Sequence, residues 1–221
     1  MNDAAVIYSE SVEVIGRLDV LGIDERTLRD SVIEGIGFVL NCTAHDPSYL
    51  PGIMGSGKIV RALRDRLIPR GWSYSNPRNY ALTTEPAGAF AIAVAGGDAN
   101  TGSKENPITR AEKGAATRAA INGNLQLTFT HVDPKFPRIE TPATIQTWVL
   151  LHFVDERLGE IRMELSQPAG MDSEGYVTRW SERIILRSEP FGMPPEEGKL
   201  PYDDAGDDAI NVPVERRAVE V

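Results

Sequence analysis

Hydrophobic positions recur every three or four residues in the first third of the chain and alternate with polar ones through much of the rest. Residues 10–21, ESVEVIGRLDVL, fit both rhythms. Val12, Val14, Leu18 and Val20 alternate, while Val14, Ile15, Leu18 and Leu21 share a helical face, and we read a helix. After Gly22-Ile23, Asp24 is placed to cap a second helix, whose Leu28, Val32, Ile36 and Val39 form one stripe. That run ends near Asn41, and the Pro, Asp and Gly content of CTAHDPSYLPG predicts a loop. The clearest amphipathic helix is predicted over 57–68. Ile59, Val60, Leu63 and Leu67 cluster on one side, Lys58, Arg61 and Arg64 run along the other, and Pro69-Arg70-Gly71 ends it.

The segment NYALTTEPAGAFAIAVAGG reads as a hairpin turning at Glu85-Pro86-Ala87-Gly88. Its second strand sets Phe90, Ile92 and Val94 on one face and Ala89, Ala91, Ala93 and Ala95 on the other. Such an alanine face suits close approach by a helix or a ligand. The apolar rhythm then fades over 97–124, a connection long enough to be functional, mobile, or partly helical near 114–121. Strand-like alternation resumes at 125–130 (LQLTFT), 145–154, 160–168 and 176–187. These elements predict an α+β fold: an antiparallel sheet of five or six strands with amphipathic helices packed on one face. The predicted organisation is a single domain over 1–188 with a long loop near 97–124, followed by an acidic, proline-containing tail over 189–221.

Charge alters this picture mainly at the C-terminus. Of the formal net charge of −9, the stretch from Ser188 contributes nine acids against Lys199, Arg216 and Arg217, so the body is nearly neutral and has room for a local basic patch. The single cysteine, Cys42, excludes an intramolecular disulfide, and three scattered histidines argue against a four-ligand structural zinc. The opening MNDAAVIYSESVEV lacks the basic start and apolar core of a secretory signal, and no stretch is apolar enough to span a bilayer. A cytoplasmic protein with no membrane partner is expected.

The stretch PGIMGSGKIVRAL comes within one residue of a phosphate-cradling loop. Gly52, Gly57 and Lys58 fit G-x-x-x-x-G-K, but Ile59 stands where a magnesium-binding hydroxyl is needed, and SYLP is too short for the preceding strand. A nucleotide triphosphatase is therefore not expected. A softer reading puts Gly55-Ser56-Gly57 at a helix N-terminus, where free amides favour an anion. In the 97–124 loop, Lys104, Arg110, Lys113 and Arg118 lie among small residues and threonines that let a backbone approach a phosphate. We take Lys58, Arg61 and Arg64 together with Lys104, Arg110, Lys113 and Arg118 as the candidate phosphate-binding set. This points to a non-enzymatic accessory protein that contacts phosphate groups of nucleic acid or of a nucleotide, with no cofactor.

A first alternative is a magnesium-dependent nuclease or phosphodiesterase using Asp155, Glu160, Glu164 and His152, because carboxylates converging from neighbouring strands can hold the metal. The acid-x-Lys step of many nucleases is absent, and Glu160-Ile161-Arg162 reads equally as a solvated strand face. For His152, a four-residue turn at 155–158 pairs position 153 with 160 and places the ring in the core layer with Trp148; an odd turn would bring it to the acidic face. We favour the core placement. Cys42, His45 and Asp46 contain the residue types of a nucleophile set but lie too close in sequence to converge easily. Trp72, Trp148 and Trp180 read as core or sheet-edge residues. A second alternative is a protein-interaction module acting through the acidic tail.

The order AIAVAGGDANTG, TRAEKGAAT, QTWVLLHFVD, EIRMELSQP and SERIIL, after the Gly71-Trp72 pair, resembles a group of uncharacterised bacterial proteins associated with plasmids and genomic islands, over roughly residues 24–188. The resemblance implies a mobile-element or defence setting and no particular activity, fold or catalytic residue.

Overall fold

A computed structural model of the protein describes residues 5–39, 41–130 and 145–191. In chain order the elements are β1 (Val6–Tyr8), α1 (Ser11–Val20), α2 (Glu25–Val39), α3 (Leu50–Leu67), β2 (Ser73–Ser75), β3 (Leu82–Thr84), β4 (Phe90–Gly96), α4 (Ala115–Thr130), β5 (Gln146–Asp155), β6 (Glu160–Met171) and β7 (Val177–Pro190). Asp24 caps α2 as its position suggests: one carboxylate oxygen accepts from the Thr27 amide at 2.7 Å and the other from the Thr27 hydroxyl at 2.9 Å. Leu28, Val32 and Ile36 are buried along its stripe. The α3 helix starts at Leu50, earlier than its apolar period suggests, because Pro51 falls in the first turn, where a missing N–H costs nothing. Gly55-Ser56-Gly57 is consequently inside the helix, and the proposed N-terminal anion site at those residues does not exist.

The sheet corrects the expected fold. Among the described residues it has seven strands in the order β1-β7-β6-β5-β4-β3-β2, and it is mixed, since β1 runs parallel to β7 and β4 parallel to β5. Joining parallel neighbours requires a crossover, and the 97–145 connection with its helix α4 is that crossover. The helices are also not confined to one face. Phe90, Ile92, Trp148, Leu150, Met163 and Ile184 pack against α1, α2 and α3, whereas Ala95, Val149, Leu151, Val177 and Trp180 pack with Ile121 of α4 on the other side.

The expected strand at 125–130 is the end of α4. Thr117, Ile121 and Asn124 are buried at spacings of four and three, a helical stripe. Asn124 fastens this helix to the sheet: its amide nitrogen donates to Thr147 O at 2.9 Å and Pro168 O at 3.2 Å, and its oxygen accepts from the Thr147 amide at 2.7 Å.

Residues 97–114 form a strap across the α4 face. Its anchor is an ion pair, Arg183 to Glu164 at 2.6 Å, with side chains 1% and 0% exposed. Arg183 also donates to the carbonyls of Ser103 and Glu105 at 2.8 Å each, while Glu164 accepts from the Gly102 amide at 2.9 Å. Gly102 is required there, because at φ 70° a Cβ would sit 3.0 Å from Arg162 Cβ. The β7 strand runs two residues past the predicted domain end, and the tail beyond Phe191 lies outside the described residues.

Candidate functional site: a breach at the edge of β4

The strap and α3 meet the sheet where its edge is interrupted. β3 pairs with β4 only at Thr83↔Ile92 and Thr84↔Ala91. Before β3 the chain is turned aside by Arg78 and Asn79, both left-handed at φ 51° and 63°. At the other end the strap closes on β4, with the Arg110 amide donating to Gly96 O at 2.8 Å and a bridge between Gly97 and Thr109. Between these two closures the outer edge of β4 opens into a cavity of about 510 Å³. Ser56, Gly57 and Val60 of α3 form one wall, Tyr80 and Ala81 another, and Lys113 to Thr117 the third, with Ala93, Ala95, Val149 and Val177 beneath.

The strand edge itself is polar. On β4 the odd residues turn their backbone groups toward β5: Ala89 O accepts from Gln146 N at 3.1 Å, and Gly97 N donates to His152 O at 2.9 Å. The even residues face outward, as Phe90 O does in accepting from Glu85 N at 3.0 Å. Val94 is the next even residue after Ile92 with no strand opposite it. Among the described residues, the Val94 N–H, the Val94 C=O and the Gly96 N–H have no hydrogen-bond partner. Backbone groups left this way near the interior call for water or a ligand.

The cavity's charges are unequal in setting. Lys113 is drawn into the wall, burial lowers its pKa, and among the described residues no carboxylate forms a salt bridge with it. Arg78 and Glu112 also line the cavity. Tyr80 is buried enough to push its pKa to about 12; its hydroxyl lies beside Thr117 without a hydrogen bond of normal geometry, so it stays protonated. Behind Ser56 stands His152, its Nε2 3.5 Å from the serine hydroxyl. Burial first, then the positive charges of Arg110 and Lys113, push the imidazole down to about 4.

The predicted phosphate-binding cations do not form one surface. Lys113 lines the cavity, whereas Arg110 packs against Gly96 and is not among the lining residues. Lys58 instead lies over the Phe38 ring of α2, 4.4 Å from its centroid. Arg61 is exposed and pairs with Asp65 at 3.4 Å. Arg64 lies over Tyr74 and donates to Ser75 O, Asn76 Oδ1 and Leu82 O at 3.2, 2.8 and 3.2 Å, tying α3 to the β2–β3 ribbon. Lys104 is on the strap, across the sheet from α3, and Arg118 is exposed on α4.

The alternative carboxylate set is not gathered either. Glu164 serves the buried pair with Arg183. Asp155 accepts from the Arg157 and Leu158 amides and from Arg162 at 2.6 Å, and Glu160 is 3.4 Å from Arg162. Asp155 faces Glu160 and His152 faces Met163, which is offset from the expected pairing by two residues. That offset keeps parity, so His152 lies in the layer with Trp148, on the face opposite Glu164. Among the described residues no group of three or more His, Cys, Asp or Glu is arranged to hold a metal ion. Near Cys42, the Asp46 carboxylate closes a turn on the Thr43 amide at 2.7 Å. Trp72, Trp148 and Trp180 are buried.

Sequence reasoning missed Arg78 and Tyr80 as wall residues and the bare edge at Val94; Ser56 it named, but at a helix N-terminus and not on the helix face that walls the cavity. The one advance signal was the alanine alternation of β4, which marks a face needing close approach. Among the described residues no helix is long and apolar enough to cross a membrane. No family model matches the chain, and neither curated proteins nor solved structures gave a match.

Proposed function

We propose that the protein is a non-enzymatic binding protein that takes the phosphate group of a small ligand into the cavity beside β4, with Lys113 as the principal anchor. The carrying observation is Lys113 itself: a cation drawn into the wall of a cavity of about 510 Å³ that forms no salt bridge among the described residues, although Glu112 lines the same space. A phosphate there restores the favourable environment that burial removed. It gains a charge-assisted bond in surroundings where water screens less than at an open surface. Arg78 and the Ser56 hydroxyl border the same space, and neutral His152 behind Ser56 adds no competing charge. The scattering of Lys58, Arg61 and Lys104 favours one phosphate pocket over a track for a nucleic-acid strand. An accessory role in a bacterial mobile element or defence system rests on the sequence resemblance alone.

The reading is tested by titrating ribose 5-phosphate and inorganic phosphate calorimetrically. Replacing Lys113 by alanine removes a hydrogen bond to a charged group, worth about 1.5–3 kcal/mol, and is expected to weaken binding roughly ten- to hundredfold. Lys58→Ala is expected to leave it unchanged. Absence of binding, or equal binding by Lys113→Ala, overturns the proposal.

A further inference from the structure

The phosphate accounts for only the charged wall of the cavity and leaves the bare strand edge unexplained. Val94 C=O and Gly96 N–H belong to residues i and i+2 on the outward side of β4, an acceptor and a donor placed as a neighbouring strand would use them. A group that satisfies both must carry an adjacent donor and acceptor in one plane, and that plane must continue the sheet. The space beyond the edge suits a flat body. Val60 of α3 borders it from one side of the sheet and Ala116 of α4 from the other, with Ala81 at the far end and Gly57 giving clearance.

We infer that the β4 edge reads the hydrogen-bonding edge of a nucleobase, so that the ligand is a nucleoside monophosphate, its base lying in the plane of the sheet between α3 and α4. The inference rests on the reading that Lys113 holds the phosphate. Nucleobases carry the required adjacent donor and acceptor on a rigid planar frame. They also present apolar faces to Val60 and Ala116. A single phosphate fits the charge at the wall, where the Glu112 carboxylate opposes the accumulation of further negative charge near Lys113 and Arg78.

The experiment compares the four common nucleoside 5′-monophosphates with ribose 5-phosphate, using the full chain. At least one nucleotide is expected to bind tenfold or more tightly than ribose 5-phosphate. Gly96→Pro deletes the outward donor without removing a ladder bond to β5, and proline is tolerated on strand edges; a Cβ there meets only ordinary contacts, 3.7 Å from Arg110 Cβ and 3.9 Å from the His152 ring. It is expected to bring the nucleotide down to the affinity of ribose 5-phosphate, while Gly96→Ala, which keeps the N–H, retains the difference. In the unmodified protein, amide hydrogen exchange at Gly96 is expected to slow with the nucleotide and not with ribose 5-phosphate; this readout stands even where the proline variant does not fold. Ribose 5-phosphate binding through Lys113 with no nucleotide advantage and no amide protection overturns the base site and leaves the phosphate site intact. Failure of ribose 5-phosphate to bind, or its indifference to Lys113→Ala, overturns the phosphate reading itself.

Discussion

His152 shows how a single side chain reports on the electrostatics of the site. Its imidazole keeps partial solvent contact but is densely surrounded, and burial together with Arg110 and Lys113 holds its pKa at about 4. In the unfolded chain the same ring titrates near about 6.5. Below that pH the unfolded state gains a proton that the folded state refuses until about 4, so the stability His152 contributes is complete above about 6.5 and is lost as pH falls through this window. The loss amounts to about 1–3 kcal/mol, reduced from the full linkage value by the residual solvent contact. Urea unfolding at pH 7 and at pH 4.5 should show a smaller drop for His152→Gln than for the unmodified protein; equal drops would remove the ring from the linkage. The placement of His152 was legible in advance because parity survives an offset of two residues. Its neighbours were not, since Ser56, Arg110 and Lys113 approach it from segments that nothing in a single sequence brings together.

At the scale of elements, α2 and α3 depend on one glycine for their contact. A Cβ at Gly35 would lie 2.6 Å from the Ile59 amide nitrogen and 2.8 Å from its Cα, both backbone atoms that cannot swing aside. Alanine favours a helix interior by up to about 1 kcal/mol, but here the clash decides the sign. Gly35→Ala is expected to destabilise the protein by about 1–3 kcal/mol. Gly16 in α1 has nothing within 4 Å, and Gly16→Ala is expected to stabilise by about 0.5–1 kcal/mol. Denaturant titration of the two variants checks both signs; a stabilised Gly35→Ala would mean the helices separate at little cost. Elements with local signals were readable: the Asp24 cap, the 85–88 turn and the alternation of β5 and β6. The end of α4 was not, because Leu125 to Thr130 alternate as a strand would, while the deciding contact is the Asn124 amide on Thr147 and Pro168. β1 and β2, of three residues each, are too short to show a period and exist through their partners.

For the whole molecule, topology is where local reading ran out, and the same crossover that hid it builds the site. Alternation identifies strands but not their directions, so the parallel pairing of β4 with β5 was invisible; only the length of the intervening segment permitted it. That segment returns over the sheet as the 97–114 strap, and its far end delivers Thr109, Glu112 and Lys113 to the cavity. Its grip lies elsewhere, at the Glu164–Arg183 pair buried beneath Ser103 and Glu105. Removing one partner leaves the other as a buried unpaired charge, so Glu164→Met alone is expected to cost about 3–5 kcal/mol, whereas Glu164→Met with Arg183→Met is expected to restore most of that loss. The double variant still lacks the bonds that Arg183 makes to the two strap carbonyls and that Glu164 accepts from Gly102. It should therefore remain folded while amide exchange rises from Thr101 toward Lys113 and ribose 5-phosphate binds roughly tenfold more weakly, about 1.4 kcal/mol. Unchanged exchange and affinity in a folded double variant would show that the strap is positioned by its contacts with Val177 and Gly175, the backbone hydrogen bonds nearer the cavity, and not by the ion pair.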